Sequence, residues 1–370
     1  MHDKVKIITF HAKRSTMSLQ NTTKYLDVKA LANELGIDES NVRRRISNNI
    51  LPALKKNTKS YISTNRALEY YHFTSANEKQ LKNQTKSAQT ITIANNKGGC
   101  AKTTTATNLA GLLSKLGNKV LLIDYDQQSN ASLMTLEPII DEHGMIQPFD
   151  YTIKDLLLEQ KNQHKVSLEF LQKIIRPSLW EFDVIPCDIS LNSVRQELES
   201  ASAKEMLLKE ALKQLETVYD YIIIDTPPSL ALEQTTSFFA SDYVLIVTNP
   251  ATFSMMGIEQ TVSLIRSAQE QNILYAKPKA IEVLGVIIAA AEVRTNVTKH
   301  YIKEIETFCT EESIMMFKEI VSKNIKVVES HALSKMIYEY DASSDTSLAY
   351  FDIAMTLDMQ VKNSRLKEVS

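Results

Sequence analysis

A glycine pair set between a short apolar run and a helix-forming stretch limits this chain more than any other feature. Ile91-Thr92-Ile93-Ala94 leads into Asn96-Lys97-Gly98-Gly99-Cys100-Ala101-Lys102-Thr103, and a helical pattern continues from Thr104 to Leu116. Strand, glycine-rich turn and helix, in that order, is the setting a phosphate-binding loop requires. Gly98 and Gly99 let backbone N–H groups turn inward and approach a polyphosphate closely. The following helix offers the positive end of its dipole to the same anion, worth ~0.3–1 kcal/mol at an exposed site. Lys102 is long enough to reach β and γ phosphates, and the Thr103 hydroxyl suits Mg²⁺. Cys100 reads as a small filler within the turn.

Apolar runs at 90–94, 120–124, 182–186, 221–225, 244–248 and 283–289 predict strands; 103–116, 200–215, 231–240 and 256–269 predict helices. Continuous apolar strands such as Tyr221-Ile222-Ile223-Ile224-Asp225 suit a parallel sheet buried on both faces, and the alternation with helices implies an α/β layered fold. Two of these strands end in acids: Val120-Leu121-Leu122-Ile123-Asp124-Tyr125-Asp126 and Tyr221 to Asp225. Ligands of open parallel sheets sit beyond the carboxyl ends of the strands, so both acids should lie beside the glycine-rich turn. Asp225 fits the Walker B task of orienting Mg²⁺, directly or through water. Asp124 and Asp126 would share a face of an ideal strand, although a strand that is ending can turn them apart.

The turn departs from the common G-x-x-x-x-G-K-[ST] form: Asn96 and Ala101 replace glycines, and Lys97 precedes the glycine pair. That K-G-G-x-x-K-[ST] arrangement resembles the deviant Walker A loop of the ParA/MinD ATPases. Asp124-Tyr125-Asp126-Gln127-Gln128 resembles that family's D-x-D-P-Q segment, and Asp225-Thr226-Pro227-Pro228 its D-x-P-P segment. Asn249-Pro250 with Gly257 resembles the family's segment near the adenine. Residues 320–330 resemble its late I-P-R-N segment, with Ser322 for the proline and Lys323 for the arginine.

The resemblance implies an ATPase using ATP/ADP and Mg²⁺. The nucleotide would be held by Lys97, Gly98, Gly99, Cys100, Ala101, Lys102, Thr103 and Thr104, with Asn249 and Pro250 at the base. Thr103, Asp124 and Asp225 would serve the metal, Asp124 from its outer shell, and Asp126 would place the attacking water. Lys97 would cross a homodimer interface to the partner's nucleotide. The implied function is plasmid or chromosome partition, with non-specific DNA binding by the ATP dimer and stimulation by a ParB-like centromere-binding protein. Arg294 and Lys326 fall near the family's DNA-contacting positions. A MinD-like membrane-positioning ATPase and a nucleotide-gated transcriptional regulator are the rival readings.

Residues 28–46 have helical apolar spacing on either side of Gly36 (Leu31, Ala32, Leu35, then Ile37, Val42, Ile46), with Asp38 and Glu39 suited to start a second helix. That helix carries Asn41, Arg43, Arg44 and Arg45, which can meet phosphates or base edges. The basic turn near Lys55, Lys56 and Lys59 suggests a wing, and 64–71 a closing helix. The arrangement looks like the MerR-type winged helix-turn-helix that larger plasmid ParA proteins carry, which implies repression of the protein's own operon. The expected division is an arm at 1–24, a winged helix-turn-helix at 25–75, a linker or solvated helix at 76–88 and the ATPase at 89–370.

With 370 residues and 44% apolar content the chain can build a large core, and a net charge of −2 confines any nucleic-acid contact to a local patch. Three scattered cysteines without a C-x-x-C pair argue against a zinc site, an iron–sulfur cluster or a disulfide scaffold. The sequence shows neither a secretory leader nor a long apolar run, so a cytoplasmic, nucleoid-associated protein without a membrane partner is expected.

Overall fold

A computed structural model describes residues 25–57, 60–83, 87–228, 232–274 and 281–369. The arm expected at 1–24 lies outside them. Strand β1 (Tyr25–Asp27) runs into helix α1 (Val28–Leu35), which Gly36 closes in the left-handed region at φ +62°. Helix α2 (Glu39–Ser47) follows. Asp27 and Asp38 each accept a first-turn N–H at 2.8 Å, a cap worth ~1 kcal/mol. Strands β2 (Leu54–Lys55) and β3 (Tyr61–Thr64) pair antiparallel, and β1 flanks β3 on its other side.

Helix α3 (Asn65–Asn83) continues well past the expected end at 71. Residues 76–83, expected as linker or solvated helix, are its last turns. Packing does not divide at residue 75 either. Leu31, Val42, Ile46 and Leu51 form a small core of their own, whereas Leu54, Ile62, Ala67 and Tyr70 join the main one.

Strands β4 (Gln89–Ala94), β5 (Val120–Asp124), β9 (Asp183–Ile185), β10 (Tyr221–Asp225), β11 (Tyr243–Thr248), β12 (Glu282–Ala291) and β13 (Met316–Ser322) form a parallel sheet, extended by an antiparallel edge, β8 (Arg176–Pro177). A small exposed hairpin, β6 (Ile139–Ile140) with β7 (Ile146–Gln147), stands apart. The sheet order is β13-β12-β11-β4-β10-β5-β9-β8. Period-2 side chains serve two faces. Ile91, Ile93, Leu122, Ile223 and Leu245 meet helix α4 (Lys102–Lys115) and the C-terminal helix, Asp345–Val369. Leu121, Ile123, Ile222 and Ile224 pack on the opposite layer. The mostly parallel α/β sheet with helices on both faces is thus present. Edge strand β13 was missed because Lys318 and Glu319 interrupt its apolar run, and the helix expected at 200–215 shortens to a 3₁₀ turn at Lys204–Met206 and a helix at Leu207–Leu212.

Two buried acids of the C-terminal helix bolt α3 and β3 to this body. Asp358, fully buried, accepts from Tyr221 and Lys362 at 2.6 Å each and from the Tyr70 hydroxyl. Asp352 accepts from the Thr64 hydroxyl, and Arg66 reaches Glu319 at 3.4 Å. Burial pushes Asp352 up to about 7, against the Thr64 hydrogen bond. Because its folded pKa is raised, its contribution to stability is full below the unfolded value and is lost as pH rises through about 7. Asp352→Asn should therefore gain melting temperature relative to the parent between pH 5 and pH 8, by calorimetry. A pH-independent difference would contradict the assignment.

Candidate active site

The turn at residues 95–101 curls around its own carbonyls. Asn95 anchors it, donating from Nδ2 to Val247 O and accepting the Lys97 N–H, each at 2.8 Å. Lys102 Nζ and the Cys100 thiol both donate to Lys97 O, at 3.1 and 3.2 Å. Cys100 is buried, and burial raises its thiol pKa. Gly99 and Ala101 both lie in the left-handed region, at φ +71° and +69°. At Ala101 this costs ~1–2 kcal/mol that glycine would avoid, which is strain held in a loop of chemical use. No side chain caps α4, so the N–H groups of its first turn, where Thr103 and Thr104 stand, remain available to an anion.

Parallel pairing sets the acids next to each other: Asp225 is the register partner of both Asp124 and Ile93. Their surroundings differ. Asp124 is fully engaged, accepting from Asp126 N at 3.1 Å, Ser132 N at 2.8 Å and Ser132 Oγ at 2.7 Å. Burial pushes its carboxyl up to about 6, against those bonds. It therefore pins the start of helix α5 (Asn130–Thr135) rather than offering oxygens outward. Asp126 is buried and accepts the Gln128 N–H at 3.0 Å.

Asp225 is fully buried, and neither of its oxygens has a hydrogen-bond partner. Burial first, then Asp124, push its pKa far up. The Thr103 hydroxyl beside it and Lys102 oppose that shift, without Thr103 reaching full hydrogen-bond geometry. An orphaned carboxylate next to a threonine hydroxyl and a lysine is what a small hard cation on a polyphosphate would satisfy. Among the described residues no three acids, histidines or cysteines cluster as a metal cage. This fits magnesium, which takes most of its ligands from phosphate and water.

A cavity of about 520 Å³ opens beside the turn, lined by Gly99, Asn249, Pro250, Thr298, Tyr301 and Lys323 among others. Asn249 and Pro250 thus stand where a base could lie. Gly98 faces Pro228, 3.9 Å from where its Cβ would be. Lys97 turns away from the turn, its Nζ donating to Thr252 O at 2.9 Å and Ser254 Oγ at 3.1 Å. Sequence reasoning missed Asn95, Ser132 and Ser254, which position the expected residues. Asn96, whose buried amide lacks a partner, was weighed only as a missing glycine.

The expected DNA contacts separate into two kinds. Arg43 and Arg44 are exposed on α2, with Glu39 3.3 Å from Arg43 and Asn41 2.6 Å from Arg44. Arg45 is half-buried, donates to the Tyr71 hydroxyl and lies 5.5 Å from its ring centroid. It therefore packs between α2 and α3, unlike Arg43 and Arg44. Arg294 is exposed in the loop after β12, whereas Lys326 is tied to Asp341 in an ion pair.

Comparison with known proteins places this geometry. A family described as an AAA domain matches residues 88–278. An uncharacterised protein of Methanocaldococcus jannaschii is 32% identical over 74% of this chain and 99% of its own length. The sporulation initiation inhibitor protein Soj of Bacillus subtilis is 30% identical over 71% and 96% respectively. A putative plasmid partition protein of Borrelia burgdorferi, solved with AMPPNP bound, is 27% identical with a TM-score of 0.58, over 75% of this chain and 99% of that one.

Proposed function

The chain belongs to the ParA/Soj family of P-loop ATPases, and from that premise we propose that it is a partition ATPase of plasmids or chromosomes. It binds ATP with magnesium, pairs with a second copy of itself, holds bulk DNA in that state, and lets go when a ParB-like centromere-binding partner stimulates hydrolysis. The orphaned carboxylate of Asp225 beside Thr103 and Lys102 carries the nucleotide half of this reading.

Lys102, Thr103 and Asp225 would hold the triphosphate and its metal, which when bound neutralises phosphate charge. Lys102 would trade its bond to the Lys97 carbonyl for phosphate oxygens. Asp126, kept near by its N–H bond to Asp124, would orient the attacking water. Asp124 would act through that bond and through Ser132. Asn249 and Pro250 would face the base. Lys97 would serve the partner protomer's γ-phosphate, much as an arginine finger does.

The α1–Gly36–α2 corner with the β2–β3 hairpin supports a winged helix-turn-helix that binds the protein's own operator. Arg43 and Arg44 would meet its phosphates. Replacing both with alanine should flatten the dependence of log K on log salt by ~0.9 per lost contact, read from operator titrations at several salt concentrations. Arg45→Ala should instead lower melting temperature with little change of slope. Arg294 would contribute to the non-specific surface, and Lys326 only after leaving Asp341. The C-terminal helix buries Leu348, Tyr350, Phe351, Ile353, Ala354 and Leu357 in the core, which speaks against a membrane-surface role for it. Among the described residues no helix is long and apolar enough to cross a membrane. We place the protein in the cytoplasm, on the nucleoid.

The test is binding to operator and random duplexes with ATP, ADP or no nucleotide, alongside ATP turnover. Random-duplex binding that requires ATP, with operator binding that does not, supports the proposal. Equal random-duplex binding in all three states, or no turnover with DNA present, contradicts it.

A further inference from the structure

Ser254 stands outside the nucleotide-contacting set, yet its hydroxyl is a hub. It is buried, donates to Asn249 O, and accepts from Ala251 N at 3.2 Å and from Lys97 Nζ at 3.1 Å. One donor and two acceptor sites are all a serine hydroxyl has, and here all three are used. Thr252 O supplies the second acceptor for the same amine, at 2.9 Å. Phe253, between the two, is held at φ +66° and is 70% exposed. A phenylalanine in the left-handed region is strained, and on either side of it Thr252 O and Ser254 Oγ accept from the same amine. Gly257, one turn further on, completes the arrangement: a Cβ there would lie 2.8 Å from Asn95 Oδ1 and 3.4 Å from Lys97 Cβ. Residues 249–257 therefore meet both Asn95 and the side chain of Lys97.

Asn249, Pro250, Ala251 and Thr252 also line the 520 Å³ cavity beside Gly99. The segment 249–254 thus touches the space open to a nucleotide base and grips the amine of Lys97. We infer that Ser254 is a positioning residue that stows Lys97 within its own protomer, and that occupancy of the cavity loosens this hold so that the lysine can serve a second copy. The inference rests on the trans role of Lys97 given above. The hold suits release: its acceptors are two neutral oxygens, and burial of the amine, the main influence on its pKa, works against the charged form.

The experiment is sedimentation of the full chain with AMPPNP and Mg²⁺ over a range of protein concentrations. Nucleotide affinity is measured separately, with a fluorescent ATP analogue on dilute protein. Ser254→Ala should bind nucleotide within about threefold of the parent and form dimers at about tenfold lower concentration; of the three hydrogen bonds it removes, only the one to the charged Lys97 amine bears on the dimer, and a bond to a charged group is of that size. Ser254→Thr, which keeps the hydroxyl, should stay near the parent midpoint. An unchanged or raised midpoint in Ser254→Ala overturns the inference. Loss of nucleotide binding in Ser254→Ala also overturns it, since the turn would then be a wall of the cavity and nothing more. If Lys97→Ala itself dimerises like the parent, the functional reading fails instead, which separates the two.

Discussion

Lys97→Ala is expected to bind ATP with near-parental affinity, to remain monomeric in its presence, and to lose hydrolysis by ~10³–10⁵-fold, the range a finger residue contributes. The separation of effects follows from where the side chain lies. Its amine contacts Thr252 O and Ser254 Oγ, whereas Lys102 Nζ lies within the turn, on the Lys97 carbonyl. Removing the Lys97 side chain leaves that carbonyl, the Lys102 contact and the α4 N-terminus intact. Equilibrium binding of a labelled nucleotide, light scattering and phosphate release read the three effects independently. Normal dimers with normal turnover would remove Lys97 from the mechanism.

Asp225→Asn should give two changes of opposite sign. Turnover should fall by at least ~100-fold, since even outer-shell partners of a metal cost 10–100-fold. The nucleotide-free protein should become more stable. Both oxygens of Asp225 are buried without partners, so the charged form is desolvated with nothing to repay it. A neutral amide of the same shape avoids that penalty, by about 1–3 kcal/mol, or several degrees of melting temperature at this chain length. Added ATP with magnesium should then stabilise the parent more than the variant, because only the parent's carboxylate gains a counter-charge. A variant less stable than the parent without nucleotide would mean that Thr103 already satisfies the acid.

The loop and the two acidic strands were legible because their chemistry is local. Glycine pair, lysine and threonine sit within eight residues, and Asp124 and Asp225 close uninterrupted apolar runs. Parallel pairing then brings the ends of those runs together. What the sequence hid is non-local. Nothing at Ser132 announces that it engages Asp124, and nothing at Ser254 announces that it takes an amine from residue 97. Arg45 looked like its neighbours until Tyr71, 26 positions away, claimed it. The packing across residue 75 was hidden for a related reason. Tyr70 and Thr64 find their partners in Asp358 and Asp352, at the far end of the chain. Asp352 and Asp358, set in the largely apolar stretch 348–361, were the available signal, since acids that deep require partners.

Complementation between two inactive variants tests the shared site most directly. Lys97→Ala keeps Asp126 but has no lysine to lend, and Asp126→Asn keeps the lysine but cannot orient water. In a mixed dimer, the site on the Lys97→Ala protomer regains both groups only if the lysine arrives from across the interface. The account predicts ATP turnover that is absent from either variant alone and peaks at equimolar mixing. Mixtures that stay inactive at every ratio while mixed dimers form with AMPPNP would place Lys97 in its own protomer's site and contradict the account.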